Sequence, residues 1–281
     1  KIQDPSGAIP FSLWSIHVEL IDALARERRI IVLKARQLGA SWLMGAAFSL
    51  WRTMFFPDAT ALLFSQTERD SQELIRKCRY IWERLPLWMR VPLSGESQQH
   101  LAFEGMDSYV RAFSSHPTAG SGYTAQFAFS DEAAKQPYSR EQFAAIRPTV
   151  EAGGLMVMNS TAYGMNNLFY DLWRGAKWNT AQQGENGWFP IFAPYNAHPN
   201  RTPEWWEAES LAYPRLSDFH SEYPREPDEA FVSSVPRVMN AEHLKITASA
   251  TRPIDLAQLT RDDPKKYADL LPFKAMHVRR G

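Results

Sequence analysis

The chain has 281 residues and one cysteine, enough for one large domain, or a core with an appendage, without a disulfide scaffold. Its 31 Lys and Arg residues balance 31 Asp and Glu residues, so the overall charge gives no electrostatic evidence for a nucleic-acid partner. No stretch approaches the ~18 uncharged apolar residues of a membrane span, and the N-terminus lacks the plan of a signal peptide. A chain beginning at Lys1 instead of methionine reads as part of something longer.

In chain order, IPFSLW leads into an amphipathic run over residues 16–24 that is expected to be helical. IIVL, residues 30–33, is short and β-branched, as a strand buried on both faces of a parallel sheet should be. A glycine-bearing loop follows, and SWLMGAAFSLWRTMF is predicted to be a helix starting at Ser41. ATALLFS, residues 59–65, is a second buried strand, and residues 68–85 form a helix stopped by Pro86. Within that helix Cys78 reads as a packed, reduced thiol consistent with a cytosolic compartment. HLAFE and SYVRAFS make a hairpin turning at Gly105; residues 126–130, residues 155–160 and WFPIFAP are further strands. The alternation predicts a wound α/β sheet with an antiparallel insertion. From Thr202 the pattern changes to short helices and prolines, and residues 232–281 read as a separate small subdomain.

The strand, loop and helix of IIVLKARQLGASW carry the most chemistry. A standard phosphate loop, GxxxxGK[ST], cradles phosphates with backbone amides, adds a lysine charge and binds magnesium through a hydroxyl. Here Gly39 and Ser41 match the end of that pattern, but Ala40 occupies the lysine position and Lys34 the first glycine position. Lys34 or Arg36 could supply the displaced charge from the start of the loop, with amides near Leu38 aided by the helix dipole. Alone, the segment reads equally well as an ordinary strand-to-helix turn with two exposed cations.

QFAFSDEAA supplies the complement: an apolar strand ending in Asp131, suited to magnesium, and Glu132, suited to activating water. Two acids opening a helix are common in themselves. The 90 residues between Ser41 and Asp131, however, leave room for a strand, a helix and a hairpin. Both strand ends can therefore meet at the carboxyl edge of one sheet, where α/β proteins bind ligands, and the pair together favours an ATP site.

KARQLGAS and FAFSDEAA resemble the variant phosphate loop and magnesium-binding strand of phage large terminases, the motors of viral DNA packaging. NSTAYGMNNLFYDLW, from Asn159, resembles their coupling motif, and SEYPREPDEAF, residues 221–231, resembles the run that closes their ATPase core. The resemblance implies a P-loop fold of the additional-strand catalytic-glutamate type over residues 1–231, with Mg2+ and ATP. Lys34, Ala35, Arg36, Gln37, Leu38, Gly39, Ala40 and Ser41 would form the nucleotide loop, Ser41 and Asp131 would hold the metal, and Glu132 would be the base. It also implies coupling through Ser160 and Thr161, and adenine contact by Trp14 or His17 in IPFSLWSIH, where His17 replaces a frequent glutamine. The implied partners are double-stranded viral DNA, a portal and procapsid, a small terminase subunit and a homo-oligomeric, pentameric ring, in the cytoplasm of a bacterial host. The arginine usual in the loop before the acidic strand is missing from residues 114–126. Arg111, Arg140 and Arg147 are the candidates to complete the site from a neighbouring subunit. The ribonuclease H-like nuclease of complete large subunits is expected to lie outside this chain, because nothing after Val232 forms a strand-borne acidic cluster.

Two rival functions are a helicase-type translocase, which Ala40 disfavours because helicases keep lysine after the loop glycine, and a nucleotide-binding structural subunit, which has no need of Glu132. The seven histidines lack metal-ligand spacing, so no zinc site is expected. GSGYT reads as a flexible loop, and the aromatic run from Trp188 to Trp206 as sheet packing.

Overall fold

The computed structural model describes residues 2–4, 7–176 and 185–232. The chain divides into the units Lys1–Val235 and Pro236–Gly281. The second unit, which overlaps the subdomain expected at residues 232–281, lies outside the described residues.

A short antiparallel pair, β1 (Ile2–Asp4) and β2 (Gly7–Ile9), precedes helix α1 (Ser15–Arg26). The central sheet is built from β3 (Arg29–Lys34), β4 (Thr60–Ser65), β5 (Leu93–Ser97), β6 (His100–Phe103), β7 (Ser108–Ser114), β8 (Phe127–Asp131), β9 (Leu155–Ser160) and β10 (Phe189–Ala193). Its spatial order is β10-β3-β9-β8-β4-β7-β6-β5. The first six strands pair in parallel, while β6 and β5 extend the edge antiparallel. Pro190 is tolerated because β10 is the other edge, where a missing N–H costs no ladder bond.

Parallel strands covered on both faces must be apolar throughout, and β4 and β9 are buried at every position. Successive residues of β3 feed opposite layers. Ile30 and Val32 pack with α1, with α2 (Phe48–Phe55) and with Leu74, Ile75 and Cys78 of α3 (Glu68–Glu83). Ile31 and Leu33 pack with Ile146 and Val150 of α4 (Ser139–Val150) and with Phe169 and Trp173 of α5 (Leu168–Gly175). The result is a three-layer α/β sandwich. Fully burying each such aliphatic side chain contributes roughly 1.5–3 kcal/mol. Three short helices, α6 (Pro203–Ser210), α7 (Leu216–Glu222) and α8 (Pro227–Val232), follow β10.

The hairpin expected at Gly105 is present as β6 and β7, but it belongs to a meander with β5, whose glycine-containing, half-exposed sequence masks its strand character. The helix expected from Ser41 begins as a π-helix, Ser41–Ala47, before becoming α2. Gly45 lies within this wide first turn, and a Cβ there would come within 2.8 Å of the Phe129 ring on β8. The missing side chain lets the helix approach the strand that carries the acids.

Candidate nucleotide site

Strand β9 lies between β3 and β8, so the phosphate loop and the acidic pair emerge one strand apart on the same carboxyl edge. Lys34 ends β3, Asp131 ends β8, and β9 brings Asn159 and Ser160 between them.

Residues 35–40 form the loop. The amides of Ala35 and Arg36 are engaged by the carbonyls of Ala193 and Glu222, at 2.8 and 2.9 Å. Those of Gln37, Leu38, Gly39 and Ala40 have no acceptor among the described residues. Gln37 and Gly39 are left-handed, with φ of 59° and 72°, whereas Ala40 is right-handed at −57°. Alternation of this kind turns successive N–H groups toward one point and makes an anion-binding nest. Glycine adopts that conformation freely at position 39; glutamine at 37 does so against its preference.

The acids complete the site. Ser41 Oγ donates to Asp131 Oδ1 at 3.0 Å, and Asn159 Nδ2 donates to the same oxygen at 2.7 Å. Glu132 occupies a left-handed backbone position, φ 46° and ψ 44°, of the sort that persists at functional sites because its surroundings enforce it. Its carboxylate is shared by Lys34 and Lys135, each at 3.1 Å, and Thr161 Oγ1 donates to it at 3.3 Å. Burial pushes the Glu132 carboxyl upward, but the two lysines outweigh this and hold it down to about 2. Burial likewise works against the charge on Lys34, while Glu132 and Asp131 keep its pKa above the ordinary value. Lys135 also lies 3.6 Å from Glu222, whose other oxygen is 3.0 Å from Arg36 Nε. The result is a chain of alternating charge running Lys34, Glu132, Lys135, Glu222, Arg36.

The fold thus brings together Lys34, Arg36, Ser41, Asp131, Glu132 and Thr161 out of the residues expected from sequence. Ser160 is one step removed: its hydroxyl accepts from the Ala134 amide at 3.1 Å and so braces the turn behind Glu132. His17 calls for a correction. Its ring is fully buried, Nδ1 accepts from the Trp14 amide at 3.0 Å, and Nε2 therefore donates to the Leu38 carbonyl at 2.7 Å. With both nitrogens committed, His17 supports the loop from beneath and offers no polar atom to adenine. Trp14, half-buried, stacks on His17 with centroids 4.8 Å apart.

None of the three candidate arginines reaches the site of its own subunit. Arg111 donates to the Tyr123 hydroxyl at 2.9 Å, and Arg140 pairs with Asp171 at 2.5 Å. Arg147 lines a hollow with Arg28, Arg29 and Trp188, at the opposite, amino edge of β3. Sequence reasoning passed over Lys135, Asn159, Arg201 and Glu222 as site residues. Asn159 lies inside a quoted motif, Lys135 directly follows one and Glu222 lies inside the closing run, but Arg201 carried no local signal.

Comparison with known proteins gives a family and a fold. Residues 31–253 match the family model described as terminase large subunit, T4likevirus-type, N-terminal. No curated protein matches. Among solved structures, the large terminase ATPase domain of Thermus phage P74-26 is 20% identical with a TM-score of 0.58, covering 79% of this chain and 98% of that one. The large terminase of a thermophilic bacteriophage in complex with ADP is 14% identical, with a TM-score of 0.58 over 75% of this chain and 52% of that one. The HK97 bacteriophage large terminase is 15% identical, with a TM-score of 0.58 over 82% of this chain and 48% of that one. At such identities the likeness is one of fold, and the chain spans about half of the last two proteins. The family match covers most of the chain and includes Lys34, Ser41, Asp131 and Glu132, and so the chain belongs to the terminase large-subunit family, matching the N-terminal part of that subunit.

Proposed function

We propose that this chain hydrolyses ATP at the β3–β8 edge, with Lys34 and the Gln37–Ala40 amides holding the phosphates and Glu132 activating the attacking water. The observation that carries the reading is the contact of Lys34 with Glu132 at 3.1 Å across 98 residues of sequence. It puts the displaced loop cation and the base against each other, where a γ-phosphate and its water would sit. In this state Glu132 is held by two lysines and is a poor base. Phosphate oxygens offer Lys34 a stronger partner, so nucleotide binding would release one carboxylate oxygen toward water.

Ser41 and Asp131 would hold Mg2+. The hydroxyl and carboxylate suit a hard cation, and the buried Oδ1 of Asn159, without a partner among the described residues, can accept from its hydration shell. The ion supplies neutralisation of charge on the phosphates when bound.

Hydrolysis is proposed to drive double-stranded viral DNA into a procapsid, in the host cytoplasm, by a pentameric ring of subunits acting with a portal and a small terminase subunit. Thr161, touching Glu132, would report nucleotide state to the rest of the motor. Cutting of DNA is assigned to sequence outside this chain.

The primary test is steady-state ATPase activity of the purified chain, with and without portal and procapsid, paired with calorimetric ATP titration of Lys34→Ala. Turnover stimulated by packaging components, and loss of ATP affinity in the variant, are expected. Unchanged affinity in Lys34→Ala would reject the displaced-cation assignment.

A further inference from the structure

Arg201 lies just before α6, 165 residues from Arg36 of the loop in sequence, yet both of its side-chain hydrogen bonds end in that loop. Nη1 donates to the Arg36 carbonyl at 2.7 Å and Nη2 to Gln37 Oε1 at 3.1 Å. The residue is only 7% exposed, and its guanidinium lies 5.0 and 4.8 Å from the ring centroids of Trp205 and Tyr223. Burying a cation without a carboxylate partner is costly, and an apolar side chain would fill the same space more cheaply. The retained charge therefore needs a use, and the contacts indicate one.

Gln37 is the loop residue whose left-handed backbone has no glycine to ease it. If it relaxed to a right-handed φ, the peptide planes on either side would rotate and the four unpaired amides would no longer converge. The fork of Arg201 grips the carbonyl preceding Gln37 and the end of its side chain together, which opposes that relaxation. His17 grips the Leu38 carbonyl one residue further on, from the opposite end of the chain. The loop is thus shaped by the protein before any phosphate arrives.

We propose that Arg201 is a positioning residue of the nucleotide site, holding residues 36 and 37 in the conformation that presents the loop amides to the phosphates of a nucleoside di- or triphosphate. The proposal rests on the reading of this loop as the ATP site. A preorganised loop spares the ligand the cost of ordering it, so Arg201 acts on affinity and leaves the chemical step to Glu132.

Arg201→Lys preserves charge and most of the bulk, but an ammonium on a flexible stem cannot form a planar fork to two acceptors. Gln37→Met removes one acceptor at an exposed position and does not threaten folding. Each single variant, and the double variant, is titrated with ADP and with ATP by calorimetry and assayed for KM and kcat, well below the melting temperature of each. Arg201→Lys is expected to weaken both nucleotides, and to raise KM, roughly ten- to hundredfold, the scale of lost charged hydrogen bonds, with kcat at saturation within about threefold. The cost of Gln37→Met should largely disappear in the Arg201→Lys background, because both act through one contact. Wild-type affinity in Arg201→Lys, a fall in kcat alone, or fully additive costs would each overturn the proposal. Absence of nucleotide binding by the unmodified chain would instead remove the ATP reading, and the proposal with it.

Discussion

The chemistry of the site turns on Glu132, a residue in a costly backbone conformation and held by two cations. Glu132→Gln keeps shape and removes the base, so ATP should bind with little change while turnover falls ~10²- to 10⁴-fold. Single-turnover hydrolysis measured beside calorimetry separates the two effects; normal turnover would reassign the base. The same pairing makes a stability statement about the nucleotide-free chain. Because the folded pKa, about 2, lies below the ordinary 4.5, ionised Glu132 contributes in full above pH 4.5, and the contribution drains away as pH falls toward 2. With the side chain 32% exposed, solvent tempers the size of the effect, not its direction. The melting-temperature gap between wild type and Glu132→Gln should therefore be constant near neutrality and close progressively below pH 4.5.

At the level of elements, the site depends on how closely the π-helix at Ser41–Ala47 and β8 approach. Gly45→Ala would set a methyl 2.8 Å from Phe129, a ring with no solvent exposure, so the gain in helix propensity should be outweighed by overpacking of ~1–3 kcal/mol. Urea denaturation measures this, and a variant as stable as wild type would show that the helix can retreat from the strand. The loop leaving β9 makes a separate link, since Thr161 donates to Glu132. Thr161→Ala should leave ATP affinity largely intact while lowering the DNA packaged per ATP consumed; an unchanged ratio in a packaging assay would count against coupling through this residue.

Among the described residues no arginine contacts Glu132, whose charged partners are Lys34 and Lys135, and Arg36 of the loop is paired with Glu222. An arginine supplied by a neighbouring subunit is worth ~10³ to 10⁵ in rate in phosphoryl transfer, so the isolated chain should bind ATP but turn it over slowly. Arg111, Arg140 and Arg147 make their described contacts away from this chain's nucleotide site, and each is a candidate for that role. Mixing Glu132→Gln with an alanine variant of the true arginine under assembling conditions should partly restore activity, because some interfaces then carry both intact groups. No recovery with any of the three would reject these candidates, and full activity in a dilute monomer would reject the shared site.

Much of this fold was legible from sequence because parallel strands buried on both faces must be continuous apolar runs, and β3, β4, β8 and β9 are such runs. Lys34, Ser41, Asp131 and Glu132 were legible because phosphate chemistry demands cation, hydroxyl and carboxylate at strand ends, and strand ends can be read locally. Other features depended on placement across the chain. The half-exposed β5 has no strong pattern of its own, and the close approach of the π-helix Ser41–Ala47 to Phe129 is a contact across the fold. Trp14 or His17 was expected to contact adenine, and the burial of the His17 ring and its bond to the Leu38 carbonyl are contacts that sequence does not reveal. Arg201 and Glu222 were not singled out from sequence: Arg201 stands at the head of the tail of short helices and prolines that begins at Thr202, and Glu222 lies in that tail's closing run. The tertiary structure made them part of the site by folding that tail over a loop more than 160 residues earlier, with Arg201 bonded to Arg36 across 165 residues. Local sequence determines which groups can do chemistry, whereas the long-range contacts that shape the loop and restrain the base are decided by the packing of distant segments.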